Sequence, residues 1–336
     1  MMTPCCSNVP LNQGRSPWRS LLVLLVVACL AAPFMLPAAT FAKDVYVSID
    51  VPFPPGQRSM TDLFVGSDGK LYGVSRDDAG VGRLFQVDTK NRSVSWVAGL
   101  PKTMTPAAPL LAGDAAAWTW APDWQSAYWL SRDGKLNVTL HDGSTESVGQ
   151  VAGTRPFETD DPSSEGGMGW QVSQAIVISR AGDVYTAGDK GFIFRYSPGE
   201  KKLTRLASQL PAIPGRQAWA TLDAAIAAED FIYGATFDGY LFRFDTKSGA
   251  VTNYGKPIRQ QRIGGIAMSG GRIVGFGGEP MGVHRGFALD LFGGGFDLTF
   301  PLTPGLSPVK ALVATPAGEV YVGLGGRLGG LIQYTP

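Results

Sequence analysis

Beyond residue 42 the chain alternates apolar and polar side chains in short runs, and each run stops at a cluster of Gly, Asp, Asn or Ser. A period of two marks a strand with one face buried. The punctuating residues supply a positive φ or a side chain that bonds its own backbone. No extended stretch in this region shows the three-to-four spacing of an amphipathic helix. The pattern predicts an all-β protein built from strands and tight turns.

One unit recurs six times: an apolar strand, a tight turn, a strand carrying an aromatic, a variable loop, then a strand resembling G-x-L-F-x-x-D. The second strands read KLYGVS, SAYWLS, DVYTAG, FIYGAT, RIVGFG and EVYVGL. Their equivalent positions, Tyr72, Tyr128, Tyr185, Tyr233, Val274 and Tyr321, are spaced 56, 57, 48, 41 and 47 residues apart. The third strands read GRLFQVD, GKLNVTL, GFIFRYS, GYLFRFD, RGFALD and GGLIQY. A period of about 40 to 50 residues with four short strands per unit is the signature of a propeller blade. A four-stranded sheet has two faces, and a lone blade cannot bury both. Stacked blades can, so Tyr72, Tyr185, Tyr233 and Tyr321, with Phe85, Phe194, Phe242 and Phe287, are expected in the core between blades.

The last repeat ends at its third strand, whereas VYVSIDVPF, residues 45–53, precedes the first strand of the first repeat and alternates as a strand should. Pairing this segment onto the last blade removes an open sheet edge. The expected fold is a six-bladed β-propeller of four-stranded antiparallel blades over residues 43–336, its last blade closed by the N-terminal strand.

The turns sort the two faces of the disc. First-to-second strand turns such as SDGK and SRAGD, and third-to-fourth turns such as DTKNRS, HDGST and DTKSGA, are ordinary hairpin sequences. The second-to-third strand loops and the connections between blades vary far more in length and chemistry. They belong to the opposite face, where function is expected.

The first 42 residues differ in kind. Arg15 and Arg19 precede an apolar run from Leu21 to Leu36, and small residues follow up to Ala42, the layout of a signal peptide cleaved after Ala42. A retained N-terminal membrane anchor and a lipid-anchored Cys29 are the competing readings of this segment. Cleavage implies a secreted or periplasmic protein. All three cysteines, Cys5, Cys6 and Cys29, lie in the leader, so residues 43–336 carry neither a disulfide nor a cysteine ligand. Of the 29 basic residues only Arg15 and Arg19 fall there, leaving 27 against 28 acidic ones. Such a balance gives no electrostatic footprint for nucleic acid.

Candidate chemistry lies on the variable face. The second-to-third strand loops contribute Arg76, Arg132, Asp133, Asp189, Asp238, Glu279, His284, Arg285 and Arg327, and the connections contribute Asp62, Gln174, Arg216, Trp219, Asp223, Arg262 and Lys310. In a propeller these surround the mouth of the central channel. Several arginines suit a carboxylate or phosphate, because the guanidinium is a planar donor fork; solvated loop charge is the plainer reading. His284, beside Glu279 and Arg285, is a candidate general base. His141, in the hairpin HDGST, reads as a turn residue. The insertion RPFETDDPSSEGGMGW, residues 155–170, brings together Asp160, Asp161 and Glu165, oxygen ligands of the kind calcium takes. It lacks the D-x-D-x-D-G spacing and reads better as a lid. Trp118, Trp120, Trp124 and Trp129 are expected to fill space between blades, a sugar-stacking platform being the alternative. There is no H-E-x-x-H, Walker loop, G-x-S-x-G or CxxCH sequence.

The DGKLYG and GYLFRFDTKSG repeats resemble the blades of secreted quinoprotein-like, Kelch-like and NHL-like propellers across essentially all of residues 44–336. That resemblance implies architecture only. Sugar lactonases and some lyases share it and work at the channel mouth with acidic residues, histidines and a divalent cation, but their motifs do not map onto this chain, and no quinone-docking tryptophan motif is apparent. The expected function is binding of a partner protein or an extracellular glycan across the variable face. The alternative is a hydrolase or lyase acting on an anionic carbohydrate or lactone, with His284 or Asp223 as base and Arg262 or Arg285 holding a carboxylate.

Overall fold

The structure is a computed structural model, and it describes residues 45–49, 51, 53, 57–77, 79–152, 172–217, 220–258, 262–277, 285–291, 296–299, 309–325 and 330–335. Twenty-four strands form six four-stranded antiparallel sheets. Blade one holds β2 (Gln57–Val65), β3 (Leu71–Asp77), β4 (Gly82–Asp88) and β5 (Ser93–Trp96). Blade two holds β6 (Ala115–Trp120), β7 (Ser126–Ser131), β8 (Lys135–Leu140) and β9 (Thr145–Gln150). Blade three runs through β10 (Val177–Ile178), β11 (Val184–Ala187), β12 (Phe192–Ser197) and β13 (Lys202–Gln209). Blade four runs through β14 (Leu222–Ala228), β15 (Phe231–Thr236), β16 (Leu241–Asp245) and β17 (Val251–Gly255). Blade five comprises β18 (Ile263–Ser269), β19 (Arg272–Gly277), β20 (Arg285–Asp290) and β21 (Phe296–Thr299). Blade six comprises β22 (Val309–Ala314), β23 (Val320–Leu324), β24 (Gly330–Thr335) and, as its outer strand, β1 (Val45–Ile49). Every second and third strand falls where the repeat places it.

Six blades make six seams, and each seam holds its own apolar cluster. The seam between blades three and four buries Tyr185, Leu222, Phe242 and Phe244. That between blades five and six buries Phe276, Val320, Val322 and Tyr334. The seam between blades one and two is the thinnest in strand residues. There the β5–β6 connection fills the gap with Ala107 and Leu110 of the segment around the short helix α1 (Ala108–Ala112), beside Phe64, Trp118 and Trp120. This connection departs from the expectation that connections stay on the variable face. It dips to the hairpin face, where Thr103 Oγ1 meets Ser67 Oγ at 2.7 Å and Thr105 N donates to Trp124 O at 2.9 Å, and returns through α1. Burial of Met104 and Leu110 accounts for the detour, since each removes a large apolar side chain from water. The tryptophans pack as expected: Trp120 lies 4.5 Å from Phe64 and 5.4 Å from Trp118 between ring centroids, and Trp129 Nε1 donates to Thr139 Oγ1 at 3.1 Å.

β1 pairs with β24 from Val45 opposite Thr335 to Ile49 opposite Leu331. Ile49 is 2% exposed and packs with Leu331, Tyr321 and Met60, so the N-terminal strand both seals the edge of blade six and enters the seam with blade one.

A second device repeats inside the blades. Gly73, Gly234 and Gly275 of the second strands lie directly opposite Phe85, Phe242 and Phe287 of the third. Each phenyl ring lies over the glycine opposite, closing the gap a missing side chain leaves in a sheet. A Cβ on Gly275 would sit 2.3 Å from the Phe287 ring. Gly275→Ala is therefore expected to destabilise the fold by about 1–3 kcal/mol through overpacking, and Phe287→Ala by about 3–5 kcal/mol through cavity formation. Thermal or urea unfolding of the two variants checks both, and a silent Gly275→Ala would refute the close approach.

Candidate functional site

The first strand of each blade faces the axis, and five of the six slip register near their upper ends, β2 twice. In β2, Met60 pairs with Ser75 and Asp62 with Val74, leaving Thr61 as the extra residue. The same slip leaves Ala116 in β6, Asp223 in β14, Gly264 in β18 and Lys310 in β22 without a ladder partner. Such a bulge bends the strand and re-aims the extra side chain. Blade three has only a two-residue first strand, and Gln174, just before it, donates its backbone N–H to Leu222 O at 2.7 Å. All six residues, Thr61, Ala116, Gln174, Asp223, Gly264 and Lys310, line one cavity of about 300 Å3 at the channel mouth. A further space of about 370 Å3 continues down the channel between the six first strands.

Charge converges on this ring. Arg76, Arg132, Arg262 and Lys310 line the mouth with two carboxylates, Asp62 and Asp223. Arg76 leaves the end of β3 and is held by the chain itself: Nη1 donates to Gly80 O at 3.0 Å and Nη2 to Leu110 O at 2.6 Å. Burial holds its guanidinium below the usual arginine range, with Asp62 opposing that shift and Arg132 adding to it. Arg132, exposed at the β7–β8 turn, donates Nε to Gly113 O at 2.7 Å. Both arginines thus lean on α1 and the glycine that caps it, which is how the β5–β6 detour contributes to the site.

Asp223 is the most enclosed of the six, its side chain 1% exposed. Its Oδ2 accepts from Arg262 Nε and its Oδ1 from Thr221 Oγ1 at 3.2 Å. Burial nevertheless pushes its carboxyl above the ordinary range, against the pull of Arg262, Thr221 and Lys310. The Arg262 guanidinium also lies over Phe237, 5.3 Å from the ring centroid, and that ring is 48% exposed on the β15–β16 loop. Lys310 is open to the channel yet surrounded by protein. Burial and the neighbouring Arg262 hold its ammonium below the usual lysine range, with Asp223 opposing. Asp62 is pushed up by burial, against Thr61 and Arg76.

Of the candidates read from the sequence, Arg76, Arg132, Asp62, Gln174, Asp223, Arg262 and Lys310 come together here. The others that the structure describes lie elsewhere. Asp133 sits in the β7–β8 turn, bonded to Ser131 Oγ and paired with Lys135 Nζ at 2.7 Å. Asp189 begins a 3-10 turn whose backbone N–H donates to Val151 O at 3.0 Å, bracing the preceding connection. Arg216 and Asp238 approach each other at 3.9 Å outside the cavity, and Arg285 is exposed at the start of β20. His141 lies beside Leu100, Met104 and Leu111 on the hairpin side. Trp219, Arg327, Glu279 and His284 lie outside the described residues, as do Asp160, Asp161 and Glu165. Among the described residues no cluster of three His, Cys, Asp or Glu is placed to hold a metal. Thr61, Ala116 and the α1 contacts belong to the site and carry no charge that would have singled them out.

Fold and mouth together define a six-bladed β-propeller with a cation-rich axial cavity. Among solved structures, a catalytically inactive variant of virginiamycin B lyase from Staphylococcus aureus with quinupristin matches with a TM-score of 0.61 at 9% identity, covering 88% of this chain and 100% of the lyase chain. A protein of unknown function from Bacteroides thetaiotaomicron matches with a TM-score of 0.53 at 12% identity, covering 87% of this chain and 76% of its own. At such identities the likeness shows the fold alone. No protein-family model and no curated protein matches the sequence.

The raised carboxyl of Asp62 has a sign that can be checked. A carboxyl whose folded value is raised binds its proton more tightly in the folded chain, so its contribution to stability is complete below the ordinary value of 3.8 and is lost as pH rises through the folded value. Asp62→Asn removes this loss. The variant and the parent are expected to melt alike below pH 3.8, with the variant melting higher at neutral pH. Thermal scans across that window test it, and a parent that melts higher at neutral pH would overturn the assignment.

Proposed function

We propose that this is an exported binding propeller whose channel mouth takes an anionic ligand, a carboxylate-bearing extracellular glycan being the class it suits best. The observation that carries this reading is the convergence of Arg76, Arg132, Arg262 and Lys310, from four blades, on one cavity of about 300 Å3. The two carboxylates present leave cations in excess, because Asp223 is paired with Arg262 and four basic side chains line the cavity against two acidic ones. Guanidinium groups held by backbone carbonyls are pre-oriented, so a bound carboxylate need not order them. The exposed Phe237 ring beneath Arg262 offers an apolar face at the rim, of the kind a sugar ring stacks on. Export rests on the leader pattern of residues 1–42.

The fold likeness to a lyase brings no activity with it, and a base role for Asp223 sits poorly with both of its oxygens being engaged and its side chain being 1% exposed. Binding is the reading the geometry favours over turnover. Calorimetric titration with oligogalacturonate against a neutral malto-oligosaccharide tests it. The acidic oligomer is expected to bind, with affinity falling as salt rises. Arg132→Ala is expected to weaken binding about tenfold, or about 1.4 kcal/mol, whereas Asp133→Asn leaves it unchanged. Equal binding of the neutral oligomer, or indifference to Arg132→Ala, would reject the proposal.

A further inference from the structure

Lys310 differs from every other cation of the mouth. Arg76 and Arg132 are anchored on backbone carbonyls and Arg262 on Asp223, but among the described residues Lys310 makes no hydrogen bond and no ion pair. Asp223 is the carboxylate that acts on it, and both of its oxygens are already taken, by Arg262 Nε and Thr221 Oγ1. The bulge between Val309 and Ala311 removes Lys310 from the ladder, and its side chain lines the channel. An amine that lines a cavity beside a second cation, with no ion pair among the described residues, is shifted toward the neutral, nucleophilic form. A lysine kept only as a charge would be better served by a carboxylate partner.

We propose that Lys310 is a carbonyl-capturing amine, which forms an imine with a ligand bearing an aldehyde or ketone next to a carboxylate while the arginines of the mouth hold that carboxylate. This rests on the anion-binding reading of the cavity and adds a covalent step to it. The Nζ lone pair adds to the carbonyl carbon, a carbon–nitrogen bond forms, and the carbonyl oxygen departs as water with both amine hydrogens. No oxidant or reductant is consumed. The ligand class this defines is the 2-oxo acid, including sugar acids that expose a keto group beside their carboxylate. Asp62 and Arg76 line the same cavity and face such a ligand from blade one.

Reductive trapping tests the proposal on the folded protein. Pyruvate and glyoxylate, each with sodium cyanoborohydride, are expected to leave a stable adduct on the peptide containing Lys310, with labelling concentrated there over the surface lysines. Lactate, which lacks the carbonyl, leaves none, and excess oligogalacturonate suppresses the reaction. Lys310→Arg and Lys310→Met, each checked for a folded far-ultraviolet spectrum, lose the adduct. Label spread evenly over the lysines, or absent from Lys310, overturns the proposal. Oligogalacturonate titrated into the same preparation separates the two ideas: anion binding without an adduct rejects only the imine, an adduct without anion binding rejects only the glycan reading, and neither result rejects both.

Discussion

Six strands cannot converge on one axis and all keep a regular ladder to their ends. At the mouth the backbones crowd: a Cβ on Gly264 would sit 2.1 Å from Val309 O, and one on Gly265 only 2.5 Å from the Leu312 Cβ. Inserting one residue into the inner strand of a pair bends that strand and adds twist. The slips at Thr61, Ala116, Asp223, Gly264 and Lys310 are this local answer, repeated in five blades. The lower parts of the same strands pair regularly and feed the apolar seams.

The bulges determine where chemistry can sit. A side chain in a regular ladder points into one seam or the other, where charge is costly. A bulged side chain is released from that alternation and can point along the axis. Asp223 and Lys310 therefore stand in the channel although Leu222 and Val309, immediately before them, are buried in the seams. The second layer of the site comes from the upper ends of the second strands and from the β5–β6 connection. Leu110 O and Gly113 O of that connection accept from Arg76 and Arg132. Scaffold and site share these atoms, so the same α1 segment that fills the thin seam also aims two guanidinium groups.

The architecture was legible because each blade repeats the same physical problem. Strands such as KLYGVS and GRLFQVD recur in the same order in every blade at a period of about 40 to 50 residues. The number of blades followed from the spacing of those strands. The site was legible only as a list of charges on the variable face, because nothing in an alternating sequence marks a slipped register. The six ring positions are Thr, Ala, Gln, Asp, Gly and Lys, with no chemistry in common, so no motif announces them. Arg132 and Asp133 are adjacent in sequence and looked alike, yet one reaches α1 and the other closes its own turn on Lys135. The descent of the β5–β6 connection was equally hidden, since its Met104 and Leu110 occupy a loop by pattern and a core by burial.

Closure by β1 has a temporal consequence. Val45 and Thr335 lie at opposite ends of the described chain, and their pairing cannot begin until β24 exists. Blades one to five are each built from contacts local in sequence, which form quickly, whereas the sixth needs the slowest loop to close. During synthesis the N-terminal strand is therefore an unpaired edge waiting for its partner, and one flank of β3 and β4 waits with it, because Ile49, Tyr321 and Leu331 complete the seam over Leu71 and Phe85. The ring is a clasp: its first-made strand is the last to find its place, and until then the molecule is an open chain of blades with no channel.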